Sequence, residues 1–138
     1  MSDLSRFYGP QRRDYATALE EIRNGHKYSH WIWYIFPQVD GLGSSAMSHF
    51  YAIRDLQEAR DFAADPVLGR NLREITRALL SLSCSDPRSV MGYPDDLKLC
   101  SSMTLFAAAC PEEPIFQQVL DKFYAGYPDD MTLRILGL

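Results

Sequence analysis

The sequence is poor in lysine, histidine and cysteine, and each shortage removes a class of function. Lysine occurs three times, at Lys27, Lys98 and Lys122, and the whole chain carries 14 Lys plus Arg against 18 Asp plus Glu, a net charge of -4. Binding to DNA or RNA draws most of its strength from counterions released by a clustered basic surface. An acidic chain with pI near 5.3 and interspersed signs lacks that surface, so no nucleic-acid polymer is expected as a partner. Arg70, Arg73 and Arg77 do share one helical face, which reads as a solvated stripe opposite Leu72, Ile75 and Leu79. Cys84, Cys100 and Cys110 form no Cys-x-x-Cys pair and have no histidine at a zinc spacing. Such an odd, scattered set fits free thiols in a reducing compartment, and the expected location is the cytoplasm. His26 and His30 are four apart, yet with His49 they make no His-Glu-x-x-His arrangement, so no metal and no cofactor is expected. No run reaches the roughly 18 apolar residues of a membrane span, and Met1 to Pro10 has no signal-peptide core, so no membrane partner is expected.

What is present suits a folded helical domain. At 138 residues with 46% hydrophobic and 12% aromatic side chains, the chain is expected to form one compact all-α domain of about seven helical segments. Gln11 to Asn24 has helical apolar spacing, with Gly25 placed to stop it. His30 to Phe36 is an unbroken apolar run that periodicity leaves open between helix and strand. A lone strand would strand its own backbone groups, so a buried helix ending before Pro37 is preferred. Asp55 with Glu58 predicts a capping box for a helix to about Ala64. Asp65-Pro66 and Asp86-Pro87 predict two more helix starts, the first burying Leu68, Leu72, Ile75 and Leu79. Gly92-Tyr-Pro-Asp-Asp96 recurs as Gly126-Tyr-Pro-Asp-Asp130. In each copy glycine should end one helix and an aspartate should cap the next, giving helices near Leu97 to Ala109 and Met131 to Leu136 around a third from Ile115 to Ala125.

Two constellations could carry chemistry. The first is Lys27, His30, Trp31, Trp33 and Gln38, followed by the loop Gly41, Gly43, Ser45 and then Tyr51. Gly-x-Gly backbone can approach an anion closely, with serine, lysine or histidine completing a cradle. The loop lacks the third glycine of a dinucleotide fingerprint and the Gly-Lys-Ser/Thr ending of a P-loop. His30 is a candidate general acid or ligand contact. The second is the segment Asp95 to Phe106, a helix bearing Lys98, Ser101, Ser102 and Thr104. Hydroxyls inside an apolar helix are costly to bury unpaired, which points to the wall of a polar pocket, although such groups also bond their own turn's carbonyls.

The residues His30-Trp31, Trp33, Phe36-Pro37-Gln38, Gly41-Leu-Gly43, Ser45, Tyr51-Ala-Ile53 and Glu58-Ala59 belong to a recognisable pattern. With Asp95, Lys98, Ser101 to Phe106, Phe123, Gly126, Asp130 and Thr132 they make the chain resemble the family called domain of unknown function 1810, over nearly its full length. The resemblance implies a small, mainly α-helical domain and brings no activity with it. In the order of its elements the chain is also similar to helical NADAR-type domains, associated with ADP-ribose and NAD-derived chemistry. That likeness would carry over to Lys27, Glu58, Lys98 and Asp130, but the Trp-Gly turn of that group is replaced here by Gly126-Tyr127-Pro128.

The function expected from these features is a polar pocket that binds a small anionic, nucleotide-like or ADP-ribose-like ligand. Candidate catalytic groups are Lys27, His30, Lys98, Ser102 and Asp130, and whether any of them acts on the ligand is left open. The alternative is a helical protein-protein interaction module or homodimer without catalysis.

Overall fold

The computed structural model describes residues 2–138. Among these residues there are nine helices: α1 (Ser5–Arg23), α2 (Ile32–Ile35), α3 (Ala46–Phe50), α4 (Leu56–Ala64), α5 (Leu68–Leu80), α6 (Pro87–Met91), α7 (Asp95–Ala109), α8 (Ile115–Tyr124) and α9 (Asp130–Leu136). No strand is formed among them, and the one β-type pairing is an isolated parallel bridge between Val39 and Ile53. The fold is therefore mainly α.

Most starts and stops have local causes. Asp55, Asp86 and Asp129 each accept a hydrogen bond from a backbone N–H of the helix they precede, satisfying groups that have no partner within the helix. Asp65 does the same with Val67 and Leu68 at the entry to α5. At the end of α1, His26 N–H bonds Glu21 O at 3.1 Å and Gly25 N–H bonds Ile22 O at 2.9 Å, with Gly25 at φ 81°. This is the Schellman stop that the glycine predicted.

Four expectations need correction. Helix α1 begins at Ser5, not Gln11, and runs through Pro10. The proline removes one donor, while the extra turn buries Phe7 and Leu4 in the core, and burial of one such side chain is worth about 1.5–3 kcal/mol. His30 to Phe36 does become helix, but as the single turn α2. The capping box at Asp55 is half formed: Glu58 reaches past the cap to the N–H of Arg54 and binds the side chains of Arg54 and Arg6. Arg73 also leaves its expected solvated stripe to bind Glu113 and the carbonyl of Ala63.

Helix α7 runs through the middle and contacts α2, α4, α6, α8 and α9. Six successive residues, Ser101 to Phe106, are buried, so this helix has no solvated face along that stretch. A ladder of rings crosses the interior, Phe7 to Phe62 to Phe106 to Phe116, with centroids 5.0, 5.6 and 5.7 Å apart. It joins α1, α4, α7 and α8 through contacts in the favourable range for aromatic pairs. No helix of the described residues is long and apolar enough to cross a membrane.

Candidate functional site

Lys27 follows the turn that ends α1, and its N–H bonds Val90 O of α6 at 2.7 Å. That anchor directs the side chain inward, where 4% of it remains exposed. A buried ammonium needs full compensation. Its Nζ lies 2.7 Å from Asp95 Oδ2, donates to Ser29 O at 2.5 Å and stands 4.9 Å from the centroid of the Trp31 ring. Carboxylate, carbonyl and aromatic face together replace water.

Asp95 opens α7, and its second oxygen is 3.6 Å from Lys98 Nζ. Lys98 in turn stands 5.5 Å from the centroid of the Trp33 ring. One carboxylate thus lies between two ammonium groups, each of them set over a tryptophan. Three buried polar atoms near this arrangement in sequence have no hydrogen-bond partner among the described residues: Trp33 Nε1, Asp96 Oδ1 and Ser102 Oγ. Ser102 follows Lys98 by four residues and Asp95 by seven, the spacing that places all three on one side of α7.

The floor of the arrangement is held by Glu21 of α1. Its carboxylate accepts from Tyr28 N–H at 2.8 Å, Ser29 N–H at 2.9 Å, Ser29 Oγ at 2.6 Å and Trp31 Nε1 at 2.9 Å. Burial acts against the charge, but the donors of Ser29, Tyr28 and Trp31 outweigh it and hold the carboxyl down at about 2. Glu21 fixes Trp31, and Trp31 supplies the face on which Lys27 rests.

The remaining candidates do not join this cluster. His30 is exposed. Gln38 is half-buried and contributes its carbonyl to Ile53 N–H. In the loop, Gly41 faces Ile135 of α9, Gly43 faces the Ser48 side chain, and Ser45 caps α3 by accepting from Ser48 N–H at 3.1 Å. Tyr51 is a core residue whose ring packs with Phe7, Tyr34 and Phe50. Ser101 and Thr104 donate to Leu97 O and Cys100 O, the local bonding that mid-helix hydroxyls commonly make. Ser101 also donates to Asp129 Oδ2, and Thr104 Oγ1 accepts from Asp129 N–H, so this pair locks α9 onto α7. Asp130 is exposed, beside Met131 and Arg134 in an open groove between α7, α8 and α9. Glu58, carried over from the fainter likeness, is a buried anchor for Arg6 and Arg54.

Asp95, which joins the two lysines, opens the second constellation read from the sequence but was given no role there. A signal existed, because an aspartate three residues before a lysine is a helix ion-pair spacing. The repeated pentapeptide concealed it by suggesting a cap. In its second copy Asp129 does cap, accepting from Thr132 N–H at 3.0 Å. In the first, α7 has no side-chain cap, so the Asp95 carboxylate faces the lysines instead. As for metal ligands, Cys110, Glu112 and Glu113 place one ligand atom each within 4.8 Å of the others. Glu113 is engaged by Arg73 at 2.5 Å and 2.7 Å, which takes both of its oxygens.

None of the curated proteins matches the chain. A solved structure does: the conserved hypothetical protein Rv1873 from Mycobacterium tuberculosis is 41% identical, with a TM-score of 0.96 over 99% of this chain and 97% of that one. The resemblance read from the residues is borne out by the family comparison, which spans residues 1–136: the chain belongs to the family described as protein of unknown function (DUF1810).

Proposed function

We propose that the protein binds a small anionic ligand, nucleotide-like or ADP-ribose-like, at the surface edge of the Lys27–Asp95–Lys98 arrangement. The observation that carries the reading is the ion pairing at that point: two ammonium groups share the single carboxylate of Asp95 as their ion-pair partner. Lys27 is enclosed, whereas 26% of the Lys98 side chain is exposed, so Lys98 is the group that meets the anion. The unpartnered Trp33 Nε1 supports the same reading, because a buried donor without an acceptor costs about 1–3 kcal/mol that a ligand oxygen would recover. The free thiols support placing the protein in a reducing, cytoplasmic environment.

Thermal unfolding with NAD, ADP-ribose and AMP tests the proposal. A ligand at a hundred times its dissociation constant adds about 2.7 kcal/mol, which raises Tm by several degrees. Lys98→Ala should abolish that rise while leaving the free protein folded. No rise with any of the three at millimolar concentration, or a rise that Lys98→Ala leaves intact, would overturn it.

A further inference from the structure

Helix α9 presents to solvent a face that is both apolar and charged, and the two parts are ordered. Thr132 is buried and Leu136 packs on the core, which fixes the rotation of the helix. Met131 and Ile135 are then left 50% and 40% exposed, with the end of Ile135 also turned toward the loop at Gly41. Residues four apart lie one above the other on a helix, so Met131 with Ile135 forms an apolar ridge and Asp130 with Arg134 a charged ridge beside it. Although Asp130 and Arg134 have ion-pair spacing, they make no salt bridge with each other or with any other described residue. Leu97 and Tyr127, 54% and 74% exposed, extend the apolar surface across an adjoining groove of about 510 Å³.

This pattern is complementary to itself. A twofold axis perpendicular to α9 at its midpoint lays the helix antiparallel on its own copy. The rotation keeps each ridge on its own side while reversing its direction. Asp130 of one protomer then meets Arg134 of its partner, the reciprocal pair forms as well, and Met131 packs against Ile135 twice. We propose that the protein associates as a twofold homodimer through α9, with Tyr127 and Leu97 at the margin. The interface is isologous, the arrangement that closes on two copies. A seven-residue helix is about 10 Å long, so the buried area is at the small end for protein contacts and the dimer is a weak one. Nothing in this depends on an anion at Lys98.

Sedimentation of the full chain at low salt, from about 1 to about 500 µM, reads the result directly. The expected outcome is a shift from 15.8 kDa toward twice that mass as concentration rises. Asp130→Arg and Arg134→Asp singly should each weaken association about tenfold or more by placing like charges together. The double variant Asp130→Arg, Arg134→Asp should return it to near the original strength, because the same rotation rebuilds both pairs with their signs exchanged. Met131→Lys tests the apolar ridge and should weaken association in either background. Thermal unfolding confirms that each variant is folded. A monomer at every concentration would overturn the proposal and leave the face to a different partner; so would a dimer indifferent to the single variants, or a double variant no stronger than its parents.

Discussion

A lysine with 4% of its side chain exposed requires a counter-ion, and Asp95 supplies it at 2.7 Å. Breaking such a pair costs more than replacing it, because the surviving charge stays buried. Asp95→Ala should therefore lower stability by about 2–4 kcal/mol in urea unfolding at neutral pH, discounted from the fully buried case because Asp95 keeps some exposure. Adding Lys27→Met should recover at least half of that loss. Equal stabilities for Asp95→Ala and the unmodified protein would show that Lys27 does not need this partner. Glu21 makes a second residue-level prediction. Its folded carboxyl, at about 2, lies below the ordinary 4.5, so the fold favours the ionised form. The stabilisation is complete above about pH 4.5 and is lost as pH falls toward 2. Glu21→Gln should flatten the dependence of Tm on pH within that window and leave its slope above pH 5 unchanged. Cys100 titrates in the other direction: burial, reinforced by Asp129, pushes its thiol up to about 11. It is therefore neutral at physiological pH and a poor nucleophile, as a thiol lining a helix contact should be.

Among the elements, α4 and α5 meet where side chains are least able to yield. A methyl group on Gly69 would sit 2.0 Å from the carbonyl oxygen of Ala63, and that oxygen is already held by Arg73 at 2.7 Å. Because the obstacle is backbone, Gly69→Ala should cost about 2–3 kcal/mol in spite of the better helix propensity of alanine, measured by the shift in urea midpoint. An unchanged midpoint would mean that the two helices separate at no cost. The α4, α5, α6 and α9 starts were legible because an aspartate before a helix acts over two or three residues. The start of α1 was not, since Pro10 resembles a breaker until Leu4 and Phe7 are seen to be buried on the far side of it. The shortness of α2 was likewise hidden, because an unbroken apolar run has no period to show where it bends.

For the molecule as a whole, the ring ladder joins α1, α4, α7 and α8, and Trp31 and Trp33 sit at the lysine site beside α7. Loss of that interior and loss of helix should accordingly be one event. Tryptophan fluorescence and far-ultraviolet circular dichroism are expected to give coincident urea transitions. Transitions with separate midpoints would mean that the lysine site melts apart from the helices. The helical character, the positions of most caps and the thiols' lack of pairing motifs were set by the amino-acid sequence itself, since each depends on neighbours a few residues away. The meeting of Lys27 with Lys98 was decided by tertiary structure alone, through the backbone anchor of Lys27 on α6 and the passage of α7 beneath Trp33. So was the different use of two identical Gly-Tyr-Pro-Asp-Asp segments: an aspartate caps a helix or answers a buried charge according to what packing brings within about 3 Å of it, and that distance is not written in local sequence.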